Sequence, residues 1–252
     1  QHQGQLTEAQ RCYERVVELE PGNVDARYYL GNVLQSQDSI EEAADCYRHT
    51  LAVRPDHIEA QCNLGTMYEQ QKRYVEAAEC YRKALVLDTN RAELHYNMGA
   101  VLRHLGQLDE AGWHYRRAIE LNPNLAEAYN NLANILDKAT RRDETAALYR
   151  QAIKLKPDYA EAHYNLGITL REQGQLREAI SCYRQTIVLA PEHADGHVNL
   201  AFVYLLLGDF KNGWNEYQWY WRRPGISPRP LPPTPWDGTD LKGRDVFLHA
   251  EQ

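Results

Sequence analysis

Residues 160–193 read AEAHYNLGITLREQGQLREAISCYRQTIVLAPEH, and residues 92–125 read AELHYNMGAVLRHLGQLDEAGWHYRRAIELNPNL. The two segments place apolar, small and tyrosine residues at the same points of a 34-residue pattern. The pattern recurs along the chain, and we number the positions of each unit from 1 to 34. A fixed period of this length predicts a structure of stacked, similar units. Half a unit precedes six units, which begin at Val24, Ile58, Ala92, Ala126, Ala160 and Ala194.

Each unit predicts two amphipathic helices, A and B. Apolar residues stand at positions 3, 7 and 11 and again at 17, 20, 24 and 27, which is the spacing of a buried helix face. Position 8 is glycine or alanine and position 24 is always tyrosine, so the helices are expected to approach closely around one ring. Glycine at position 15, which adopts positive φ readily, is expected to end helix A at Gly106, Gly174 and Gly208.

The start of each A helix carries a capping-box pattern. An Asp or Asn at position 33 is followed three residues later by Glu, as in Asp56/Glu59 and Asp158/Glu161. This spacing predicts that position 33 caps the helix that follows. The whole pattern therefore predicts an all-α chain of helix pairs.

The repeated residues resemble the tetratricopeptide repeat (TPR). The resemblance rests on L-G at positions 7–8, A at 20, Y at 24, A at 27 and P at 32, and it extends from Gly4 to about Trp221. It implies a right-handed superhelical α-solenoid in which the A helices line a concave face. Position 4 departs from the tryptophan usual in the family, with Arg27, Gln61, His95, Tyr129, His163 and His197.

The domain prediction divides the chain at residue 223. Residues 1–223 are expected to form the solenoid, as a half repeat, five full repeats and an aromatic capping repeat. Residues 224–252 are expected to be a Pro-rich linker and, over 244–249, the first strand of a truncated following domain. The segment from Pro235 resembles the junction of bacterial TPR proteins that continue into a glycosyltransferase-like domain. We therefore expect a fragment of a longer protein.

Composition and charge exclude several classes of function. A net charge of −7 argues against a nucleic-acid or anionic-membrane partner, since both need clustered positive charge. Four of the five cysteines share position 23, and there is no C-x-x-C pair, so packing is favoured over metal or disulfides. Unpaired thiols favour the cytoplasm. The repeats are expected to be non-catalytic, with no cofactor and no metal.

An asparagine row gives the main functional signal. Position 6 is Asn in five consecutive units, although Asn is a mediocre helix former, so a function is expected to offset that cost. An amide carries donors and an acceptor and can pair with the backbone of an extended peptide. The predicted peptide-binding residues are the row itself, Asn63, Asn97, Asn131, Asn165 and Asn199, with the flanking Asn32, Asn134, Tyr96, Asn130 and Tyr164.

Four interpretations are to be weighed for these residues. The TPR region of O-linked N-acetylglucosamine transferases is similar at N-L-G and G-Q-L-x-E-A, which implies that an inner Asn row holds substrate peptides. The amides could instead bond the neighbouring repeat, and self-association without a peptide ligand is the alternative function. A carboxylate clamp for acidic C-termini is disfavoured because the inner bases, Arg103, Lys138 and Arg171, stand only at positions 12 and 13.

Overall fold

The computed structural model describes residues 2–136, 141–223 and 225–226, with side chains from Gln5 onward. These residues contain helices and no strand, so the all-α prediction is confirmed. The chain divides into two compact units, Gln1–Pro191 and Glu192–Gln252. Apart from residues 225–226, the predicted linker and strand lie outside the described residues, as does Lys138. The helices of the first unit are α1 (His2–Leu19), α2 (Val24–Ser36), α3 (Ile40–Val53), α4 (Ile58–Gln70), α5 (Tyr74–Leu87), α6 (Ala92–His104), α7 (Leu108–Leu121), α8 (Ala126–Ile135), α9 (Arg142–Leu155), α10 (Ala160–Glu172) and α11 (Leu176–Leu189).

Each predicted repeat folds as an A–B helix pair of an α-solenoid. The A helices of the first unit (α2, α4, α6, α8 and α10) begin at position 1, and the B helices (α3, α5, α7, α9 and α11) fill the second half of each repeat. Each A helix packs on its own B helix, and each B helix packs on the next A helix within the unit. This arrangement lets every helix bury the apolar face that the sequence gives it.

The tyrosine of position 24 is the largest buried group of each full repeat in the first unit. The rings of Tyr47, Tyr81, Tyr115, Tyr149 and Tyr183 have no exposed surface. A Cβ built on Gly99 would lie 2.8 Å from Cε1 of Tyr115, closer than a carbon–carbon contact allows. The glycines of position 8 therefore make room for the ring, as the pattern of small residues indicated.

The turn between helices A and B requires positive φ at position 15. Gly106 and Gly174 have φ of +76° and +75°, which confirms the predicted helix ends. In the first two repeats the same position is Asp38, with φ of 63°, and Lys72, with φ of 60°. A residue with a Cβ is strained in this region, so these two repeats hold the turn at a cost that glycine avoids.

The capping-box prediction is wrong by one residue. Helices α4 and α10 begin at Ile58 and Ala160, so the N-caps are His57 and Tyr159 at position 34. The His57 Nδ1 accepts a 3.3 Å bond from the amide of Ala60, whereas Tyr159 makes no side-chain cap. The spacing of residues in the sequence could not show that position 33 belongs to the preceding turn and not to the helix cap.

The second unit contains α12 (Ala194–Leu206), α13 (Phe210–Tyr217) and a 3₁₀ helix (Gln218–Arg222). Gly213 replaces the usual alanine of position 20 and is buried, while Phe210 and Trp214 keep about 60% of their surface exposed (62% and 59%). His197 stacks on Trp219, with 3.9 Å between ring centroids, and its Nδ1 lies 2.5 Å from the Glu216 carboxylate. The buried apolar side chains of this unit are Val198, Leu200, Ala201, Val203 and Tyr204.

Candidate functional site

The asparagine row of the first unit lies on successive A helices. Asn63, Asn97, Asn131 and Asn165 belong to α4, α6, α8 and α10, and each side chain is half-buried. Asn199 is half-buried on α12 in the second unit. The four amides of the first unit therefore retain accessible surface, unlike the tyrosines beneath them.

Three of these amides donate to the preceding repeat. The Asn63 Nδ2 donates to the Asn32 Oδ1 at 3.0 Å, and the Asn165 Nδ2 donates to the Asn134 Oδ1 at 3.1 Å. The Asn131 Nδ2 donates to the Tyr96 hydroxyl at 3.3 Å. The interpretation that the row amides bond the neighbouring repeat is therefore correct for the Nδ2 donors of Asn63, Asn131 and Asn165. Their Oδ1 atoms accept no hydrogen bond from residues that the structure describes.

Asn97 differs from the other three because its carboxamide has no hydrogen-bond partner within the described ranges. Position 9 of the preceding repeat is Thr66, whose hydroxyl lies 3.2 Å from the Tyr81 hydroxyl and bonds the carbonyl of Cys62 at 3.1 Å. Both ends of the Asn97 amide thus remain available.

Asn32 and Asn134 have a structural role that sequence reasoning missed. The buried hydroxyl of Tyr149 donates to the Asn134 Oδ1 at 2.6 Å. The Tyr47 hydroxyl lies 2.8 Å from the Asn32 Oδ1 and 2.7 Å from the Gln35 Oε1, and these two acceptors share its single proton. Each position-9 oxygen thus lies within hydrogen-bond distance of the tyrosine below and accepts one bond from the row asparagine of the next repeat. These two residues orient the row instead of offering a free acceptor. Their recurrence at one position beside the tyrosine was the signal available in the sequence.

The flanking residues at position 5 are not equivalent. Asn130 has no exposed surface, so the prediction that it contacts a peptide is wrong, because its side chain turns into the interior, 3.5 Å from the Glu161 carboxylate. Tyr96 and Tyr164 are half-buried and pack against the tyrosines below, with ring centroids 6.0 Å and 6.2 Å apart. Both rings border the row.

A hollow of about 280 Å³ opens beside the row between α2, α4 and α6. Position 5 is tyrosine on both sides of it but Cys62 in the middle, so the smaller side chain leaves space. Its other lining residues are Tyr28, Glu59, Asn63, Thr66, Arg91, Glu93, Leu94 and Asn97. Two row amides therefore border a recess large enough for one side chain.

The acidic residues at position 2 act mainly between repeats. Glu59 pairs with Arg91 at 3.0 Å, and Glu127 pairs with Lys156 at 2.9 Å. The pKa of the Glu59 carboxyl is lowered chiefly by a backbone hydrogen bond, to which Arg91 adds, and the pKa of the Glu127 carboxyl is lowered chiefly by Lys156. Glu93 at the recess makes no ion pair with any described residue. Most of this acidic row is thus neutralised.

Four of the five thiols and two histidines of the first unit are at least half-buried, whereas Cys12 is exposed. All five cysteines are free, and burial raises the pKa of Cys46, Cys62, Cys80 and Cys182 to about 11. His95 and His114 are buried, with 3.0 Å between their Nδ1 atoms. In the described part of the chain, no three His, Cys, Asp or Glu side chains gather as a potential metal site.

Family models identify the repeats directly. Models described as tetratricopeptide repeat or TPR repeat together match residues 2–208. The chain belongs to the tetratricopeptide repeat family. The matched segments are 24–89, then 2–38, 100–138 and 169–208, then 80–112 and 148–181, and finally 126–159.

Solved TPR structures share the fold. YrrB is 24% identical, with a TM-score of 0.62 over 78% of this chain and 97% of its own. MamA is 25% identical, with a TM-score of 0.59 over 66% and 97%. PilF of Pseudomonas aeruginosa is 19% identical, with a TM-score of 0.71 over 80% and 92%. Curated protein sequences give no match.

The TPR family assignment indicates a scaffold that binds proteins. Nothing in the comparisons relates the chain to a glycosyltransferase. Among the described helices, none is both long and apolar enough to cross a bilayer. The candidate site of this TPR protein is therefore the surface of the A helices in the first unit, where the four row amides, Tyr96, Tyr164 and the recess lie together.

Proposed function

We propose that the A-helix surface of the first unit binds an extended polypeptide, and that the Oδ1 atoms of the asparagine row accept hydrogen bonds from its backbone amides. The observation that carries this proposal is that, in three of the four row amides of the first unit, the two ends of the carboxamide have different roles. Nδ2 is tied to the preceding repeat in Asn63, Asn131 and Asn165, whereas Oδ1 has no partner among the described residues.

The internal bonds support the proposal because they orient the acceptors in advance. A carboxamide held at Nδ2 loses little further side-chain freedom when a ligand arrives, which lowers the entropic cost of binding. A bond to the backbone also explains why the same residue type recurs, since every residue of a peptide except proline presents the same N–H.

A solved relative gives further support. YrrB is described as a TPR protein with an unusual peptide-binding site, and it has the same repeat fold. Peptide binding is thus compatible with this architecture.

The decisive variant is Asn97→Ala, because Asn97 has no internal bond whose loss would weaken the fold. Peptides are first selected on the wild-type chain from a random library, and dissociation constants are then measured by fluorescence anisotropy. We expect Asn97→Ala to weaken binding about two- to tenfold, the value of one hydrogen bond of about 0.5–1.5 kcal/mol, with an unchanged melting temperature.

Two controls make the test specific for backbone recognition. Asn97→Asp keeps an acceptor at the same place and should retain binding. N-methylation of the peptide backbone, one amide at a time, should reveal one amide whose methylation weakens binding to the wild type but does not further weaken binding to Asn97→Ala. An unchanged affinity for Asn97→Ala, or additive losses at every methylated amide, would contradict the proposal.

The finer assignment, an arm of a larger glycosyltransferase-like protein, rests on the sequence resemblance from Pro235 onward. A nucleotide-sugar-binding domain encoded after Gln252 would support it, and a coding sequence without one would remove it. Cytoplasmic location is proposed from the free thiols and would be contradicted by fractionation of the protein with an exported pool.

Self-association is the alternative to peptide binding. Sedimentation equilibrium of the chain without a peptide tests it, since a mass that stays at the monomer value over the whole concentration range excludes a self-associating scaffold.

A further inference from the structure

Position 12 of the A helices lies beside the hydroxyl of the buried tyrosine at position 24. In the first repeat the Tyr47 hydroxyl lies 2.7 Å from the Gln35 Oε1, and in the second the Tyr81 hydroxyl lies 3.3 Å from a Glu69 carboxylate oxygen. Both position-12 side chains thus bring an acceptor to the tyrosine. In the third repeat position 12 is Arg103, whose guanidinium has only donors.

The side chains at positions 9 and 12 bring no acceptor in the third repeat. Position 9, which brings an oxygen to the tyrosine as Asn32 and as Asn134, is Ala100 here. The Tyr115 hydroxyl and the Arg103 Nε are both buried, and neither has a hydrogen-bond partner in the described ranges. Buried polar groups without partners are costly. The third repeat therefore lacks an acceptor that the repeats on both sides of it supply.

Arg103 also differs from four other half-buried arginines of the first unit, each of which donates to an oxygen of the chain. Arg103 makes no ion pair and no hydrogen bond with any residue that the structure describes. A positive charge taken partly out of water without a partner is unfavourable. The four paired arginines and their partners are Arg27 with Pro21, Arg48 with Asp45, Arg91 with Asp88, and Arg117 with Glu120.

The terminal nitrogens of Arg103 can be reached from outside. Of the three guanidinium nitrogens only Nε is both buried and without a partner, and no described residue bonds the other two, so these two keep accessible surface. Burial raises the pKa of the Tyr96 hydroxyl, and the nearby charge of Arg103 opposes that rise. Asn131 donates to the same hydroxyl at 3.3 Å. The guanidinium therefore lies near the asparagine row at Asn131.

Glu69 of the preceding repeat does not neutralise Arg103. Burial raises the pKa of the Glu69 carboxyl, while the Tyr81 hydroxyl and then the charges of His104 and Arg103 oppose that rise. The burial of Glu69 disfavours its charged form, and Glu69 and Arg103 form no ion pair. Arg103 thus has a neighbouring acid but no bound carboxylate.

The group that Arg103 lacks is an acceptor with a negative charge. A carboxylate meets both requirements, because its two oxygens accept parallel N–H bonds from the terminal nitrogens of a guanidinium. Along a polypeptide, carboxylates are presented by aspartate and glutamate side chains. An acidic side chain therefore fits this point of the A-helix surface by charge and by hydrogen-bond pattern.

We propose that Arg103 binds an aspartate or glutamate side chain of the polypeptide that lies on the asparagine row, through its two terminal nitrogens. This proposal rests on the peptide-binding function proposed above. The row binds the backbone and accepts any sequence, whereas Arg103 selects one acidic residue at one place along the bound segment. The carboxylate is that of a side chain and not that of a chain terminus.

A substitution scan of the peptide tests this selection. The peptide selected on the wild-type chain is made with an amidated C-terminus, and each position is replaced in turn by Glu and by Gln. At one position the wild type should bind the Glu peptide about three- to tenfold more tightly than the Gln peptide, an effect between those of an exposed and of a buried ion pair. In about 1 M sodium chloride, where the screening length is about 3 Å, this preference should shrink.

Three variants assign the preference to Arg103. Arg103→Gln removes the charge, so Glu and Gln should bind equally at that position. Glu69→Gln keeps an acceptor for Tyr81 but removes the neighbouring negative charge, so the preference for Glu should grow. Arg116→Gln on the B helix α7 removes the same charge as Arg103→Gln and should leave the preference unchanged. Calorimetry of each variant shows whether it folds, and the gain in Glu69→Gln cannot arise from partial unfolding.

The outcomes separate this proposal from the peptide-binding function. Equal affinity for Glu and Gln at every position, while Asn97→Ala still weakens binding, would overturn the role of Arg103 and leave the peptide-binding surface in place. If Asn97→Ala has no effect, the surface itself is wrong and this proposal falls with it. A preference that survives Arg103→Gln, or an effect of Arg103→Gln only on peptides with a free C-terminal carboxylate, also overturns it.

Discussion

Tyr149 and Tyr183 occupy the same position of two repeats, yet their hydroxyl groups have opposite surroundings. Both rings are fully buried. The Tyr149 hydroxyl donates to the Asn134 Oδ1 at 2.6 Å, whereas that of Tyr183 has no partner among the described residues, because position 9 of its repeat is Ile168 and carries no acceptor. Replacing each tyrosine by phenylalanine therefore removes one oxygen with different consequences.

The magnitudes follow from the two environments. Tyr149→Phe loses one net hydrogen bond and should lower the free energy of unfolding by about 0.5–1.5 kcal/mol. Tyr183→Phe removes a buried hydroxyl whose burial costs about 1–3 kcal/mol, so it should raise the free energy of unfolding by about 1 kcal/mol. The two variants are expected to differ by about 2 kcal/mol in opposite directions, although the substitution and the burial are the same.

Urea denaturation followed by circular dichroism at 222 nm measures both effects against the wild type. The midpoint should fall for Tyr149→Phe and rise for Tyr183→Phe, with similar slopes. If both midpoints moved in the same direction, or if Tyr183→Phe were the more destabilised variant, the hydrogen-bond assignments at position 24 would be refuted.

Three further predictions concern the turns, the helix contacts and the histidines. Lys72→Gly should raise the free energy of unfolding by about 1 kcal/mol in urea denaturation, because glycine removes the strain at φ of 60°; a lower midpoint would contradict this. Gly99→Ala should lower the melting temperature measured by calorimetry, since a Cβ 2.8 Å from the Tyr115 ring costs about 1–3 kcal/mol of overpacking against about 1 kcal/mol of helix propensity; a raised melting temperature would count against the contact. Burial and the neighbouring His95 lower the pKa of His114 to about 4, below its unfolded value of about 6.5, so the unfolded chain binds the extra proton and the free energy of unfolding should fall by about 2 kcal/mol from pH 7 to pH 5. The double variant H95Q/H114C, which carries the residues of the preceding repeat, should lose this part of the pH dependence of urea unfolding, and an equal slope in both proteins would show that other groups cause it.

Local patterns gave most of the helices correctly. Position 1 of each unit is where an A helix begins, and the glycine at position 15 of the third, fifth and sixth units is where the chain turns with positive φ. These features depend on residues close in sequence, on apolar periodicity and on backbone freedom at one residue. The predicted N-cap positions were wrong by one residue, because several polar side chains at the turn compete for the same backbone amides.

The sequence by itself determined the period, the A–B helix pairs, the buried tyrosines and the recurrence of asparagine at one helical position. Tertiary structure alone decided what those amides do: Asn165 reaches Asn134 across 31 residues, and Asn130 is buried although its neighbour Asn131 is half-exposed. Helical periodicity assigns a residue to a face, but a hydrogen bond between repeats depends on how closely two stacked helices approach. That distance is set by the side chains packed between neighbouring repeats, and so it appears only once the repeats are stacked.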